Sequence, residues 1–315
     1  MGKYILKRVL ISVVVLFGIT VIDFILVKII GDPIEIMAGG PRVSEEVLAI
    51  RAEQMGLDKP VVLQYFAWLG QILQGNLGYS YKSYESVSSM ILSHLGPTLI
   101  LMGSALVLSL IIAVTAGIYS AVHQHTKKDY TIVTLAFLGQ SIPPFFLALL
   151  LIYIFSVQLG ILPSGGMREL GGDGTGVSLR YLILPMVVLA VGMAGRNIRY
   201  IRSSMLEILN KDYLRTAKGK GIGRFLTIYK HALRNALVPI LTVIGMEIPG
   251  LFGGSIIIEQ VFSWPGLGLM TMNAILTRDY AVIMAMCLLS GVVVLVSNLV
   301  IDILYAVVDP SVTYE

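Results

Sequence analysis

Hydrophobic positions along this chain fall in long uninterrupted runs. They do not alternate as in a half-buried strand or form the narrow stripe of a surface helix. From Val9 to Ile30 the only charged residues are Asp23 and Lys28. Comparable runs follow at Thr98–Val122, Tyr130–Val157, Tyr181–Ile201, Leu237–Ile258 and Tyr280–Val307. About 20 apolar residues wound as an α-helix cross the hydrocarbon core of a bilayer. Lipid satisfies no open backbone group, so spanning runs without strand alternation fold as helices. The pattern predicts an all-α polytopic membrane protein with six transmembrane helices.

The polar stretches between these runs set the orientation. With the N-terminus inside, the inner stretches Met1–Arg8, His123–Asp129 and Arg202–Ala236 are dense in Lys and Arg, and the outer stretches carry few cations over many more residues. Positive charge stays on the cytoplasmic side, so both termini are expected there. The chain then divides into residues 1–30 (cytoplasmic end and first span), 31–96 (extracytoplasmic segment), 97–307 (five-helix core with a cytoplasmic loop at 202–236) and 308–315 (tail). Within the outer segment, "SEEVLAIRAEQMGL" reads as an amphipathic helix opened by Ser44.

Composition agrees. Of the 315 residues 56% are hydrophobic and 13% charged, whereas a soluble domain carries about 25% charge. The first run is too long for a cleaved leader. The single cysteine, Cys287, excludes an internal disulfide. A net charge of +4 in such a chain reports topology and lipid contact, not nucleic acid.

One stretch breaks the pattern. "DYLRTAKGKGIGRFLTIYKHALRNALVPI", from Asp212, is basic, and Gly219, Gly221 and Gly223 interrupt its helical spacing. It reads as helix, turn, helix on the cytoplasmic face. Such a segment can cradle phosphate, lie on anionic lipid or dock a soluble partner. The phosphate-binding motif G-x-x-x-x-G-K-[ST] is absent, because Gly follows both Lys218 and Lys220. Attraction to lipid contributes about 1 kcal/mol per basic residue. The small residues Thr216, Ala217 and Gly221 favour docking, since they let another backbone approach closely.

At this segment the sequence resembles the "EAA" loop of binding-protein-dependent ABC importer permeases. The equivalent here reads Arg215-Thr216-Ala217, three residues, Gly221 and later Leu237-Val238-Pro239, with Arg215 and Thr216 replacing the usual Glu and first Ala. That departure is similar to the peptide and nickel branch. "GDP" at Gly31–Pro33, "MGLDKPVVLQYFAWLG", "GNLGYSY", "GPTLIL", "IPPFFLALLL" and "EQVFSWPGLG" are likewise similar to that branch's first permease subunit. The resemblance implies the type I importer permease fold. It also implies pairing with a second homologous permease, two cytoplasmic ATPases that carry ATP and magnesium, and an external substrate-binding protein. No cofactor or catalytic residue is implied for this chain. Asp212, Tyr213, Arg215, Thr216, Ala217 and Lys218, turning at Gly221, would form the coupling helix that sits in a groove of an ATPase.

Polar groups inside the runs are the other candidates. Glu247, near the middle of the fifth run, reads as a lone carboxylate facing either the substrate path or a helix–helix hydrogen bond; Pro249 and Gly250 beside it favour the path. Asp23, Asn298 and Asp302 are expected to pair with other spans. Pro143 and Pro144 should bend the third span. Glu259 is expected just outside the fifth span, with "SWPGLG" leading into a short external helix that ends near Arg278. His123 and His125 suggest a metal only weakly beside Lys127 and Lys128, and no metal site is expected. The expected function is import of short peptides. A nickel-chelate importer is the alternative within the family, and a stand-alone secondary transporter the alternative outside it.

Overall fold

The structure, a computed structural model, describes residues 2–30, 59–169, 176–219, 221, 223, 226–233, 236, 245, 247, 249–251 and 255–308. The helices are α1 (Gly2–Ile30), α2 (Val61–Leu73), α3 (Val87–Val122), α4 (Lys127–Ser141), α5 (Pro144–Leu151, continued by a π-helical turn over Ile152–Gln158), α6 (Leu179–Leu209), α7 (Asp212–Gly219), α8 (Ile256–Val261), α9 (Leu267–Thr277) and α10 (Tyr280–Val308). A second π-helical stretch covers Thr227–Ala232. Among the described residues no strand forms; Tyr79 and Ser86 make one isolated bridge.

Four described helices are long and apolar enough to cross a membrane: α1, α3, α6 and α10, each corresponding to a predicted run. The third predicted span is bent where Pro143 and Pro144 were expected to bend it: α4 and α5 meet there at 96°, as a broken span or a re-entrant pair. Pro144 has no N–H to continue the ladder of α4, and Pro143 takes an extended ψ of 130°. A correction concerns α3, which begins at Val87 and not near Thr98, carrying Pro97 within it. Most of the fifth run, Leu237–Ile258, and the expected Ser44 helix lie outside the described residues. At the end of that run Ser255 is extended, so Ile256 opens the separate helix α8.

Packing explains which helices stay together. α3 and α6 share a seam of small side chains: a Cβ on Gly117 would lie 2.8 Å from Ile201. A Cβ on Gly195 would collide with the Ala136 carbonyl oxygen, which brings α4 against α6. Asn197 of α6 donates to Ser109 of α3 at 3.3 Å inside this seam. On the other side α1 runs along α10, with Ile19 against Gly291. Asp23 is buried there beside the Cys287 thiol, so it pairs with another span as expected. α2, whose Tyr65 hydroxyl meets Thr20 at 2.9 Å, packs across α1. Asn298 is exposed, and the Asp302 side chain lies outside the described part. The outward faces of α1, including Val13, Val14 and Ile29, are exposed and apolar, as a lipid-facing surface requires.

Candidate functional site: a docking helix and a membrane-embedded ion pair

α6 is 31 residues long. At 1.5 Å per residue it measures about 46 Å, against about 30 Å of hydrocarbon, so it projects beyond the membrane at its basic end. Lys211 donates its N–H to Ile208 O and closes a tight corner, and α7 leaves from Asp212. Leu214 is fully buried in one cluster with Ile118, Ala121, Ile198, Ile201, Met205 and Ala232, and α7 packs against the π-helical stretch Thr227–Ala232, which in turn packs against α6. Around that anchor Asp212, Tyr213 and Thr216 are exposed on the outer side of the helix. The side chains of Arg215, Ala217 and Lys218 lie outside the described part, although their backbone is helical. The helix ends at Gly219, and Gly221 takes φ +80, a left-handed turn that a Cβ would strain. The structure thus gathers the sequence-predicted docking residues on one short helix with one buried anchor.

A residue that sequence reading missed secures the platform beneath it. Asp129, in the first turn of α4, is buried where α3, α4 and α6 meet. Arg202 of α6 grips it as a fork, Nε to Oδ1 at 2.7 Å and Nη2 to Oδ2 at 2.8 Å. The Ser120 hydroxyl of α3 donates to Oδ1, and the His125 N–H donates to Oδ2 at 3.1 Å. The Arg202 guanidinium beside it, with the Ser120 and His125 donors, holds the Asp129 carboxyl well below the usual carboxylate range against the opposing effect of burial. Thr126 caps α4 by accepting the Asp129 N–H at 3.4 Å. The pattern Thr-x-x-Asp at a helix start was the available signal; the partner 73 residues away was not legible.

Glu247 has a partner. Arg196 of α6 places Nη2 3.3 Å from its Oε1 and 3.5 Å from its Oε2, a helix–helix contact of the kind the sequence left open beside the substrate path. From Leu179 to Arg196 the rise is about 26 Å, which puts this pair in the part of the bilayer nearer the basic end. Arg199, three residues on, donates to Gln140 and lies 4.8 Å over the Phe137 ring.

At the opposite end a second carboxylate organises the turn expected to lead to an external helix. Glu259 of α8 is fully buried. It accepts from Thr98 Oγ1 of α3 at 3.0 Å and from the Leu269 N–H at 3.0 Å, at the N-terminus of α9. Thr98 in turn accepts the Leu267 N–H at 2.7 Å, and the Trp264 indole donates to Pro97 O at 3.0 Å. Gly268 leaves room for this carboxylate, since a Cβ there would lie 2.9 Å from Glu259 Oε2. Burial pushes the Glu259 carboxyl up despite these donors. α9 ends at Thr277, and Arg278 follows in a left-handed conformation, as the sequence led us to expect. Asp279 then takes the Ser80 hydroxyl and, at 3.2 Å, the Tyr81 N–H. A cavity of about 430 Å³ lies between α1, α2, α10 and the 76–84 loop, walled by Phe24, Trp68 and Tyr81, apart from both Glu247 and α7.

A bundle of long apolar helices with a short polar helix beyond one end defines a multi-pass membrane protein. Residues 113–314 match the family described as binding-protein-dependent transport system inner membrane component, and residues 1–102 match its N-terminal counterpart. The chain belongs to this family. It is a multi-pass inner-membrane permease component of an ABC importer, and ATP hydrolysis resides in a separate subunit. A permease protein of Brucella ovis is 47% identical over 318 residues, covering 99% of each chain. The oligopeptide transport system permease AppB of Bacillus subtilis is 43% identical over the full length of both. The glutathione transport system permease GsiC of Escherichia coli K12 is 37% identical, again over all of both. An inward-facing structure of the MetNI methionine ABC transporter shares the fold. Its TM-score is 0.57 at 20% identity, covering 70% of this chain and 96% of that one.

Proposed function

We propose that this chain is one permease of an importer for di- and oligopeptides. It pairs with a second homologous permease, receives peptide from an external binding protein and couples to two ATPases that carry ATP and magnesium. The N-terminus, the C-terminus and α7 lie on the cytoplasmic side. The single observation that carries the mechanism is Leu214: its buried side chain ties the exposed helix α7 into the cluster where α3, α6 and the Thr227–Ala232 stretch meet. A push on Asp212, Tyr213, Arg215, Thr216, Ala217 or Lys218 by a closing ATPase dimer is then carried into the spans as a rigid displacement. The peptide assignment draws on the relatives named for oligopeptide and glutathione transport. Glu247 sits on the path and attracts the substrate ammonium.

The test is reconstitution with the partner subunits and measurement of ATP-dependent uptake of labelled di- and oligopeptides and of nickel. Peptide uptake is expected. Nickel uptake independent of peptide, or uptake without any ATPase, overturns the reading. Gly221→Asp should lower ATPase association and uptake while the protein still inserts; normal coupling in that variant removes the docking role.

A further inference from the structure

α6 carries three arginines at three-residue intervals, Arg196, Arg199 and Arg202, and their partners differ in kind. Arg202 holds Asp129 with two nitrogens on two oxygens at 2.7 and 2.8 Å. Arg199 is engaged by Gln140 and stacked over Phe137. Arg196 presents one nitrogen end-on to both Glu247 oxygens at 3.3 and 3.5 Å. A fork is the strong, geometrically fixed form of this contact, and this end-on approach leaves most of the five guanidinium donors unused among the described residues. The Arg196 side chain is 46% exposed, whereas the Glu247 side chain is 13% exposed. One turn earlier on the same face is Gly192, where a Cβ would meet nothing within 4 Å. This face of α6 is turned away from the seam with α3, which buries Asn197, Ile198 and Ile201. A half-open cation and a carboxylate, loosely paired beside free space within the bilayer, are expensive to hold for packing alone.

We infer that Arg196 and Glu247 form a two-pole site for a zwitterionic peptide, Arg196 receiving the terminal carboxylate and Glu247 the terminal ammonium. When the site is empty the poles close on each other, so no charge is left unpaired. This rests on the peptide reading above and extends it: Arg196 becomes a specificity-determining residue. It also predicts that substrates lacking either charged end are disfavoured at the permease itself, independently of the binding protein.

The assembled transporter, in nanodiscs with its sister permease and ATPases but without the binding protein, is photolabelled with a tripeptide carrying benzoylphenylalanine. Unlabelled tripeptides with free, C-amidated or N-acetylated ends compete. For the wild type, blocking either end should weaken competition about tenfold, the scale of one lost charged hydrogen bond. Arg196→Gln should abolish the cost of amidation and keep that of acetylation, and Glu247→Gln should do the reverse. The double variant Arg196→Gln/Glu247→Gln, in which two amides can still bond, covers the case that a single variant fails to assemble; it should lose both preferences. Retention of the wild-type preference in Arg196→Gln or in the double variant overturns the inference, as does equal weakening of free and blocked peptides. A wild type labelled by peptide but indifferent to both ends also overturns it and leaves the peptide reading standing, whereas a wild type not labelled by any peptide overturns both.

Discussion

The two ends of the helical bundle are each tied by a buried carboxylate, and the ties are made differently. At the basic end Asp129 meets a guanidinium, a hydroxyl and an N–H. At the opposite end Glu259 meets a hydroxyl and backbone N–H groups and no cation among the described residues. The first tie compensates charge with charge; the second uses neutral dipoles at a helix terminus. The difference is visible in proton affinity, lowered at Asp129 and raised at Glu259. Under the proposed docking at α7, stress from the motor arrives at the basic end, and there the stronger, charge-assisted clasp holds three helices. The opposite end has only to orient a turn.

The sharpest way to break the contrast is Arg202→Ala. It leaves Asp129 buried without its counter-charge and should cost about 3–5 kcal/mol. Thermal unfolding in detergent measures it, and Arg202→Lys, a point charge without the fork, should fall between. An Arg202→Ala protein as stable as wild type removes Asp129 from its proposed place. Next in size is Leu214→Ala, which empties a packed site at a cost of about 2–5 kcal/mol. Its stronger signature is functional: ATPase turnover should persist while uptake per ATP falls.

Glu259→Gln comes third, at about 1–3 kcal/mol, because an amide cannot accept from every donor aimed at the carboxylate. Here pH separates the two ends. A raised carboxylate stabilises below its ordinary value of 4.5 and loses that contribution as pH climbs through the raised value. The melting-temperature gap between wild type and Glu259→Gln should therefore be wider at pH 5 than at pH 8. The lowered Asp129 behaves oppositely: its contribution is present above its ordinary 3.8 and is lost as acid takes pH below that. Arg202→Ala should accordingly lose its disadvantage only in strong acid. The smallest effect is expected from Gly221→Ala, about 1–2 kcal/mol of left-handed strain, confined to the turn and read as faster proteolysis after α7.

Much of this was legible in the chain. α1, α3, α6 and α10 announce themselves by unbroken apolar runs, and Pro143-Pro144 announces a bend. The angle of that bend was not legible, because proline forbids a straight continuation without dictating the new direction. The start of α3 at Val87 was missed because "VSSMILSHLG" mixes polar and apolar residues where the helix is partly buried against α9 and α10. The helix and turn that carry the proposed docking residues were readable from glycine spacing and charge. Their support was not: Asp129 with Arg202, Thr98 with Glu259 and Arg196 with Glu247 are tertiary pairs far apart in sequence, and no local period records them. Glu247 is legible from its cost in lipid; its partner is set by the tertiary fold.

The glycines that seat α3 against α6 limit how this protein can move. Gly117 sits under Ile201, and Gly195 sits against the backbone of Ala136, so neither helix can slide along the other without driving atoms together. The trio α3, α4 and α6 must travel as a single slab. The backbone is already turned aside at two points next to that slab, the proline elbow before α5 and the extended Ser255 before α8, so a movement of the slab against its neighbours strains the helices least there.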